Sequence, residues 1–384
     1  MVDLLTLYIL LEVNMTKKVL LLANNDVGLY NFRRELLEQL IEQGYEVYIS
    51  LPYGVKVEPL KRLGCICINT PIQRRGTNPF TDLKLMINYY RMIRKVRPNI
   101  VLTYTIKPNL YGSIVCLLSR TPYINNITGL GSGLLGKKLL PKLLIFMYKV
   151  ALKKSTMVFF QNKADMCFML HHRMISGRYS LIPGSGVNLN QFKYAAYPQE
   201  GKWIFTFIGR IMKEKGIEEF LFAAKAIKQK YNDIQFNIIG SIEPTQAFYR
   251  ELIAQYEAKN YVKYYGFQKD VTKFLVESHC IIQPSHSEGM SNVLLESAAV
   301  GRVLIASDIP GCREAIDDNG YVFSLGDVNG LISAIENFIH LPYEKKVAMG
   351  KMSRQKVERE FDRQIVVDKY LQEINEVLQA ENND

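Results

Sequence analysis

Two glutamates at the start of a predicted helix are the residues of this sequence best suited to do chemistry. Glu288 lies in a loop that follows an apolar strand pattern, and Glu296 lies eight positions later in the helical stretch 292–300. Ser291 is well suited to cap that helix. Because unpaired amides at a helix N-terminus favour a phosphate, the two carboxylates could hold hydroxyl groups on either side of a diphosphate. A nucleotide sugar has this arrangement of groups.

The same two glutamates also have an ordinary explanation, since glutamate is common on the solvated faces of helices. The preceding strand pattern, Pro284 and Gly289 give this pair a strand–loop–helix context. That context favours a ligand site over a solvated surface. His286, beside Glu288, is expected to have a structural role or to lie at the rim of the site, and not to act as a general base.

The stretch 288–296 reads Glu-Gly-x-x-Asn-Val-x-x-Glu, which resembles the donor-site motif of retaining glycosyltransferases of family 4. The stretches 301–308, 311–314 and 319–323 agree with it, and the resemblance is close to continuous over 203–330. It implies an α/β fold of the GT-B type, in which two Rossmann-like parallel-sheet domains face each other across a cleft. The second domain would bind the nucleotide sugar.

Arg210 and Lys215 flank a glycine-bearing turn after another predicted strand. Arginine can form paired hydrogen bonds to a diphosphate and lysine adds a point charge, although such a pair on a loop is often only solvated. Both match the donor phosphate contacts of the family. The resemblance implies catalytic roles for Glu288, Arg210 and Lys215, within a donor site formed by Gly209, Arg210, Lys215, Gly240, Phe267, Glu288, Gly289, Met290, Ser291, Asn292, Val293 and Glu296.

The N-terminal half begins as a parallel βαβ unit, with strand patterns at 17–23 and 46–51 and a helix predicted from about Leu29. It lacks the Gly-x-Gly-x-x-Gly fingerprint, so nicotinamide and flavin cofactors are disfavoured. Gly28 follows the first strand, and Lys107 lies where a strand becomes a helix. Both are predicted at the edge of the sheet that binds ligands, with a plain turn as the alternative for Gly28.

Two further stretches resemble the acceptor half of bacterial family 4 enzymes that extend polyprenyl-diphosphate-linked sugars in N-linked glycan, capsule and O-antigen assembly. They are Lys-Pro-Asn-x-Tyr-Gly at 107–112 and Thr-Gly-Leu-Gly-Ser at 128–132. The resemblance implies a lipid-linked saccharide as acceptor. The residues predicted on the acceptor side are Gly28, Lys107, Asn109, Thr128, Gly129 and Gly131.

The net charge of +11 is concentrated in one stretch, because residues 83–164 contain fourteen lysines and arginines and no acidic residue. Nucleic-acid binding would explain the charge but not the Glu288/Glu296 motif. In 134–154 the lysines alternate with leucine, isoleucine and phenylalanine, which suits a helix on an anionic membrane surface. A packed helix with a solvated lysine edge is the equal alternative. We expect a peripheral protein on the inner face of the cell membrane.

Composition sets the remaining limits. The six cysteines and five histidines are scattered without ligand spacing, which predicts reduced thiols, a cytosolic protein and no metal site. No cofactor is expected beyond the nucleotide sugar as co-substrate. Residues 1–14 are predicted to lie outside the fold, with translation starting at Met15 and a short hydrophobic anchor as the alternative.

The predicted domains are an acceptor-binding domain over 15–190, a linker over 191–202, a nucleotide-sugar domain over 203–357, and a helix over 358–384 that crosses back to the first domain. The implied reaction transfers a hexose or N-acetylhexosamine from a UDP sugar to the acceptor with retention. A GT-B epimerase or hydrolase is the alternative, and it would need acid/base groups in the first domain. Few carboxylates or histidines occur there.

Overall fold

A computed structural model describes residues 17–73, 78–130 and 139–380. The chain divides into two compact units. The first unit contains the residues up to Ile182 together with those from Val367 onward, and the second unit contains Pro183–Val366.

The first unit is built on a seven-stranded parallel sheet with the order β3-β2-β1-β4-β5-β6-β7. Residues Val19 to Leu22 of its first strand are fully buried, as expected for a parallel sheet covered on both faces. Its strands are β1 (Lys18–Leu22), β2 (Glu46–Leu51), β3 (Ile66–Asn69), β4 (Ile100–Tyr104), β5 (Tyr123–Ile127), β6 (Met157–Phe160) and β7 (Tyr179–Leu181).

The helices of this unit connect the strands. They are α1 (Asp26–Glu42), α2 (Val57–Arg62), α3 (Pro79–Val96), α4 (Ser113–Ser119), α5 (Leu139–Ala151) and α6 (Lys163–His171), with a π-helical turn at Pro108–Gly112 just before α4. Helix α1 begins at Asp26, three residues before the predicted start, because the Asn25 side chain caps it by accepting from Gly28 N at 2.5 Å.

The second unit is a six-stranded parallel sheet with the order β10-β9-β8-β11-β12-β13. Its strands are β8 (Trp203–Ile208), β9 (Ile234–Ile239), β10 (Lys263–Tyr264), β11 (Cys280–Gln283), β12 (Val303–Ser307) and β13 (Gly320–Phe323). Its helices are α7 (Ile217–Lys230), α8 (Tyr249–Ala258), α9 (Thr272–Glu277), α10 (Asn292–Val300), α11 (Val328–His340) and α12 (Tyr343–Glu360). Stacked and tilted aromatic rings, including Phe205 on Phe236, fill its core.

The stretch predicted as a linker, 191–202, is packed into the second unit. Phe192 and Tyr197 are buried, and the Tyr197 hydroxyl donates to the carbonyl of His279 at 2.6 Å. The buried Arg302 donates to the carbonyls of Ala195 and Ala196 at 3.1 and 3.0 Å. The polar composition of the stretch hides these few anchoring side chains, and the second unit begins earlier than predicted, at Pro183.

The last helix, α13 (Arg363–Ala380), starts in the second unit and belongs to the first from Val367 onward. Its Tyr370 is buried, with ring centroids 4.7 Å from Phe159 and 6.2 Å from Tyr104. The Tyr370 hydroxyl accepts from Asn126 Nδ2 at 2.5 Å. This tyrosine therefore ties the C-terminal helix to the ends of three strands.

We predict that Tyr370→Ala destabilises the first unit by about 3–5 kcal/mol, the usual cost of removing a buried aromatic ring. Hydrogen exchange of the amides of β4 to β6 under increasing urea would measure the loss. Tyr370→Phe keeps the ring and should cost only about 1–2 kcal/mol, for the donor left unpaired on Asn126. Equal losses in both variants would show that the ring does not carry the stability.

Candidate functional site

The predicted donor-site residues of the second unit gather at one edge of its sheet. Gly209 follows β8, Gly240 follows β9, Phe267 follows β10, and the loop 284–291 follows β11. These four strands are parallel and adjacent, so their carboxyl ends meet at the same edge. The fold thus brings these predicted residues to one place.

Two glycines allow the loops at this edge to pack backbone against backbone. Gly240 has a φ of +146°, and a Cβ there would lie 1.8 Å from the carbonyl oxygen of Gly209. Gly216 has a φ of +75°, and its Cβ would lie 1.9 Å from the carbonyl oxygen of Pro284. Only glycine fits either position, because both the conformation and the contact exclude a side chain.

The N-terminus of α10 is capped but keeps unpaired amides. Ser291 Oγ accepts from Leu294 N at 3.4 Å, and Ser291 N donates to the carbonyl of Gly311 at 2.7 Å. The amides of Asn292 and Val293 have no acceptor among the residues that the structure describes. The predicted cap is present, and this helix start still offers N–H groups and a positive partial charge to an anion.

Lys215 and Glu288 form an ion pair at this edge. Lys215 Nζ lies 2.5 Å from Glu288 Oε1, and both side chains are largely buried. Ser285 Oγ donates to the same carboxylate oxygen at 2.8 Å. The second predicted cation, Arg210, is exposed and pairs with Glu243 at 3.0 Å. Both cations thus lie near the ends of β8 and β11, and Lys215 is the more restrained of the two.

Glu296 lies in the second turn of α10 and is half-buried. Its carboxylate makes no hydrogen bond or ion pair with any residue in the described parts of the chain. Burial raises the pKa of Glu296 to about 7, and the positive charge of Arg363 opposes this shift. A carboxylate that makes no hydrogen bond or ion pair with the described residues is available to accept hydrogen bonds from a ligand.

The remaining predicted donor residues differ in exposure. Met290 is buried, whereas the Phe267 side chain is 72% exposed. His286 Nε2 lies 2.7 Å from Glu219 Oε1, so its partner is a carboxylate of α7. The described residues contain no group of three or more histidine, cysteine, aspartate or glutamate side chains placed to hold a metal ion.

The predicted acceptor-side residues follow three neighbouring strands of the first unit. Gly28 is in the first turn of α1 after β1, Lys107 follows β4, and Thr128 and Gly129 follow β5. The structure therefore places them at one sheet edge. Gly131 lies outside the described residues.

Asn109, predicted on the acceptor side, lies with its side chain inside the core of the first unit. It is buried, accepts from Thr103 Oγ1 at 2.6 Å and donates to the carbonyl of Asn126 at 2.8 Å. Asn125 Nδ2 also donates to Thr103 Oγ1, at 2.7 Å. The asparagine thus holds the ends of β4 and β5 together inside the core, because a buried amide must satisfy its own hydrogen bonds.

Lys107 belongs to a polar cluster that the sequence did not reveal. Its Nζ lies 2.6 Å from Asp82 Oδ1, and Tyr111 donates to Asp82 Oδ2 at 2.7 Å. Burial, followed by the hydrogen bond to Asp82, raises the pKa of Tyr111. A cavity of about 300 Å³ adjoins the cluster, lined by residues that include Gln73, Lys84, Asp82 and Lys107. One feature of the sequence could have pointed to this cluster: Asp82 is the last acidic residue before the stretch 83–164, which contains none.

The backbone next to Lys107 is strained. Thr105 has a φ of +72°, which is unusual for a β-branched residue, and its hydroxyl is buried without a hydrogen-bond partner among the described residues. The π-helical turn Pro108–Gly112 follows at once. Such features concentrate at functional sites, so they support the assignment of this strand end to ligand binding.

The basic segment predicted at 134–154 is described from residue 139 onward, as helix α5. Lys142, Leu143, Phe146 and Lys149 are exposed on it. Across the described parts of the chain, every helix is too short or too polar to cross a membrane.

Comparison with known proteins gives two family matches. The model described as "Glycosyl transferases group 1" matches residues 191–356, and the model described as "Glycosyl transferase 4-like" matches residues 18–162. Together they span both units of the structure.

Among curated relatives, the chain is 25% identical over 316 residues to the N,N'-diacetylbacillosaminyl-diphospho-undecaprenol alpha-1,3-N-acetylgalactosaminyltransferase of Campylobacter jejuni, covering 77% of this chain and 82% of the relative. It is 23% identical to the capsular polysaccharide biosynthesis glycosyltransferase CapM of Staphylococcus aureus, covering 76% of this chain and 80% of the relative.

Solved structures agree on the fold. A glycosyltransferase from Rickettsia africae superposes with a TM-score of 0.78 at 20% identity, covering 94% of this chain and 99% of that chain. The Anabaena protein HepE in complex with UDP-glucose superposes with a TM-score of 0.73 at 16% identity, also covering 94% and 99%. The two parallel-sheet domains therefore have the GT-B fold.

We predict that Glu296→Gln stabilises the second unit above pH 7. The folded-state pKa of about 7 exceeds the ordinary value of 4.5, so the stability that the protonated carboxyl contributes is complete below pH 4.5 and lost as the pH rises through 7. The glutamine has no such loss. At pH 8 the variant should be more stable by about 2 kcal/mol, less than the full shift implies because the side chain is only half-buried.

Urea unfolding at pH 4.5 and pH 8 measures this difference, which should vanish at the lower pH. The matched control is Glu288→Gln, which breaks the ion pair with Lys215 and should not stabilise the unit at either pH. A gain for Glu288→Gln, or none for Glu296→Gln at pH 8, would contradict the assignment.

Proposed function

We propose that this chain, which belongs to the glycosyltransferases, moves a hexose or N-acetylhexosamine from a nucleotide sugar to a lipid-linked saccharide, with UDP as the nucleotide. The observation that carries the proposal is the start of α10, where the free amides of Asn292 and Val293 lie one turn before the unpartnered Glu296. The relatives that act on diphospho-undecaprenol-linked sugars support the choice of acceptor.

The chemistry needs stabilisation of the negative charge on the departing diphosphate. The amides at the start of α10, the guanidinium of Arg210 and the ammonium of Lys215 supply positive charge at the same sheet edge. Glu288 holds Lys215 in place through their ion pair and would also position the transferred sugar. Because no two-carboxylate arrangement suited to a nucleophilic mechanism is evident in the sequence, we propose attack from the same face, with retention at the anomeric carbon.

Glu296 would bind the ribose hydroxyl groups. Two neighbouring hydroxyls can donate to one carboxylate, and hydrogen bonds to a charged acceptor are stronger than neutral ones. The cost of holding this carboxylate half-buried, which raises its pKa to about 7, is then offset when the donor binds.

The acceptor would bind the first unit, where Lys107, Thr128 and Gly129 share one sheet edge. The cavity beside the Asp82–Lys107 pair offers cations, amides and hydroxyls, which suit a phosphorylated saccharide. We further propose that the exposed lysines and apolar side chains of α5 bring this unit to the membrane that carries the acceptor, so that the protein works at the inner face of the membrane.

We predict that Glu296→Ala lowers sugar transfer at least about a thousandfold, because two hydrogen bonds from ribose hydroxyls to a charged group are lost. The assay is transfer from a labelled nucleotide sugar to a polyprenyl-diphosphate saccharide at pH 8, with circular dichroism to confirm folding. Glu277→Ala on the exposed face of α9 is the control and should retain full activity. Unchanged transfer in Glu296→Ala would refute this site.

We also predict that transfer continues after removal of divalent cations. The positive groups at the start of α10, with Arg210 and Lys215, would replace a metal in stabilising the diphosphate. Dialysis against EDTA should leave the rate within about twofold of the untreated protein, whereas Lys215→Ala should lower it about a hundredfold or more. Loss of activity in EDTA that added Mg²⁺ or Mn²⁺ restores would disprove the metal-independent mechanism.

A further inference from the structure

Helix α3 of the first unit has two apolar faces, of which only one is covered by protein. Its buried face consists of Leu85, Tyr89, Ile93 and Val96. On the opposite side, the exposed apolar side chains Phe80, Leu83, Ile87 and Tyr90 recur at spacings of three and four residues. Phe80 is 83% exposed. A helix that packs on one side normally presents polar residues on the other, so this second stripe needs an explanation.

Cations accompany this stripe. Lys84, Arg91, Arg94 and Lys95 are exposed on α3, and none of them forms an ion pair with a residue in the described ranges. Some exposed cations elsewhere are paired, such as Arg34 with Glu38 and Lys230 with Glu336. The four cations of α3 therefore present uncompensated positive charge beside the apolar stripe.

The only acidic residue of α3 does not weaken this charge. Asp82 is largely buried, and its carboxylate is occupied by Lys107 and Tyr111. Because residues 83–164 contain no other acid, the sequence offers no local carboxylate to neutralise the stripe. An anionic partner would supply the missing charge.

The two helices that follow α3 in the first unit also expose apolar side chains. Helix α3 packs against α4, and α4 packs against α5. These neighbours expose Leu118 on α4, and Leu143 and Phe146 on α5. We call the exposed apolar residues of α3, α4 and α5, with their flanking cations, the basic apolar surface.

The chemistry of the basic apolar surface selects among possible partners. A second copy of this chain would bring like charges together, which opposes self-association through this surface. A nucleic acid would match the cations but not the apolar stripe. An anionic bilayer matches both, because apolar side chains enter the acyl boundary while lysine and arginine contact the headgroups.

We propose that α3 is a membrane-docking helix, which lies in the interface of an anionic bilayer with Phe80, Leu83, Ile87 and Tyr90 facing the lipid. The proposal rests on the peripheral membrane association proposed above for α5, and extends it to a helix that also lines the cavity beside Asp82 and Lys107. Docking through α3 would hold that cavity near the headgroups, where a lipid-borne saccharide begins.

Vesicle flotation tests this assignment, with neutral phosphatidylcholine vesicles and the same vesicles containing phosphatidylglycerol. The wild type should bind the anionic vesicles. Arg91→Ala with Arg94→Ala should weaken that binding about 25-fold, since each cation near an anionic surface contributes about fivefold. Leu83→Ser with Ile87→Ser should weaken it about tenfold or more by removing inserted apolar groups.

Phe222→Ser with Lys225→Ala is the matched control. It removes an exposed aromatic residue and an exposed lysine from α7 of the second unit, and should leave flotation unchanged. A wild type that does not bind anionic vesicles, or α3 variants that bind as the wild type does, would overturn the proposal. So would a wild type that instead dimerises or binds RNA through α3.

A second readout separates this proposal from the transferase reaction itself. With an acceptor carrying a short, water-soluble lipid, both α3 variants should transfer sugar at the wild-type rate. With a long-chain acceptor in vesicles, their rates should fall with their binding. If the wild type did not transfer sugar to the short-chain acceptor, the proposed function would be contradicted. Vesicle flotation would still decide whether α3 docks on the membrane.

Discussion

Uncompensated charge at the start of α10 is the constraint on which the proposed site depends. The amides of Asn292 and Val293 have no protein acceptor, and the carboxylate of Glu296 is half-buried without a partner in the described structure. The unpaired carboxylate opposes folding, because burial penalises its charged form. The backbone contacts that only Gly216 and Gly240 permit hold the surrounding loops in place despite this cost. The site is therefore organised before a ligand arrives, which reduces the free energy needed to order it on binding.

The ion pair between Lys215 and Glu288 also restrains side chains of the proposed site before a ligand binds. The two residues were predicted separately, one for a phosphate and one for a sugar. In the structure each restrains the other, and Ser285 fixes the shared carboxylate. A lysine held in this way keeps its charge at the sheet edge and loses less side-chain entropy when a diphosphate binds. Arg210, which is exposed and paired with Glu243, has more freedom to reorient.

The sequence predicted the parallel strands well, since buried parallel strands leave continuous apolar runs, and β1 and β11 are clear examples. It also predicted the cap at Ser291, because capping depends on a local motif. It could not show that Asn109 turns into the core, or that Asp82 reaches Lys107 across 25 positions, because both depend on tertiary contacts. The stretch 191–202 was predicted as a linker for a similar reason. Most of its residues are polar, and the sequence does not show that Phe192 and Tyr197 are buried in the second unit.

Helix α3 shows that the hydrophobic period of a sequence can identify a helix without showing which of its faces is buried. A 3.6-residue period identifies the helix, but when both faces carry apolar side chains it cannot tell which face the protein covers. Only the structure shows that Leu85 and Tyr89 face the core while Leu83 and Ile87 face outward. The cations on α3 then indicate what the outward face could bind. Unpaired cations beside apolar side chains cost little in water, and both gain favourable contacts at the surface of an anionic membrane. The two proposals share this reasoning: the proposed donor site depends on unpaired groups of the second unit, and the proposed membrane docking depends on unpaired cations of the first.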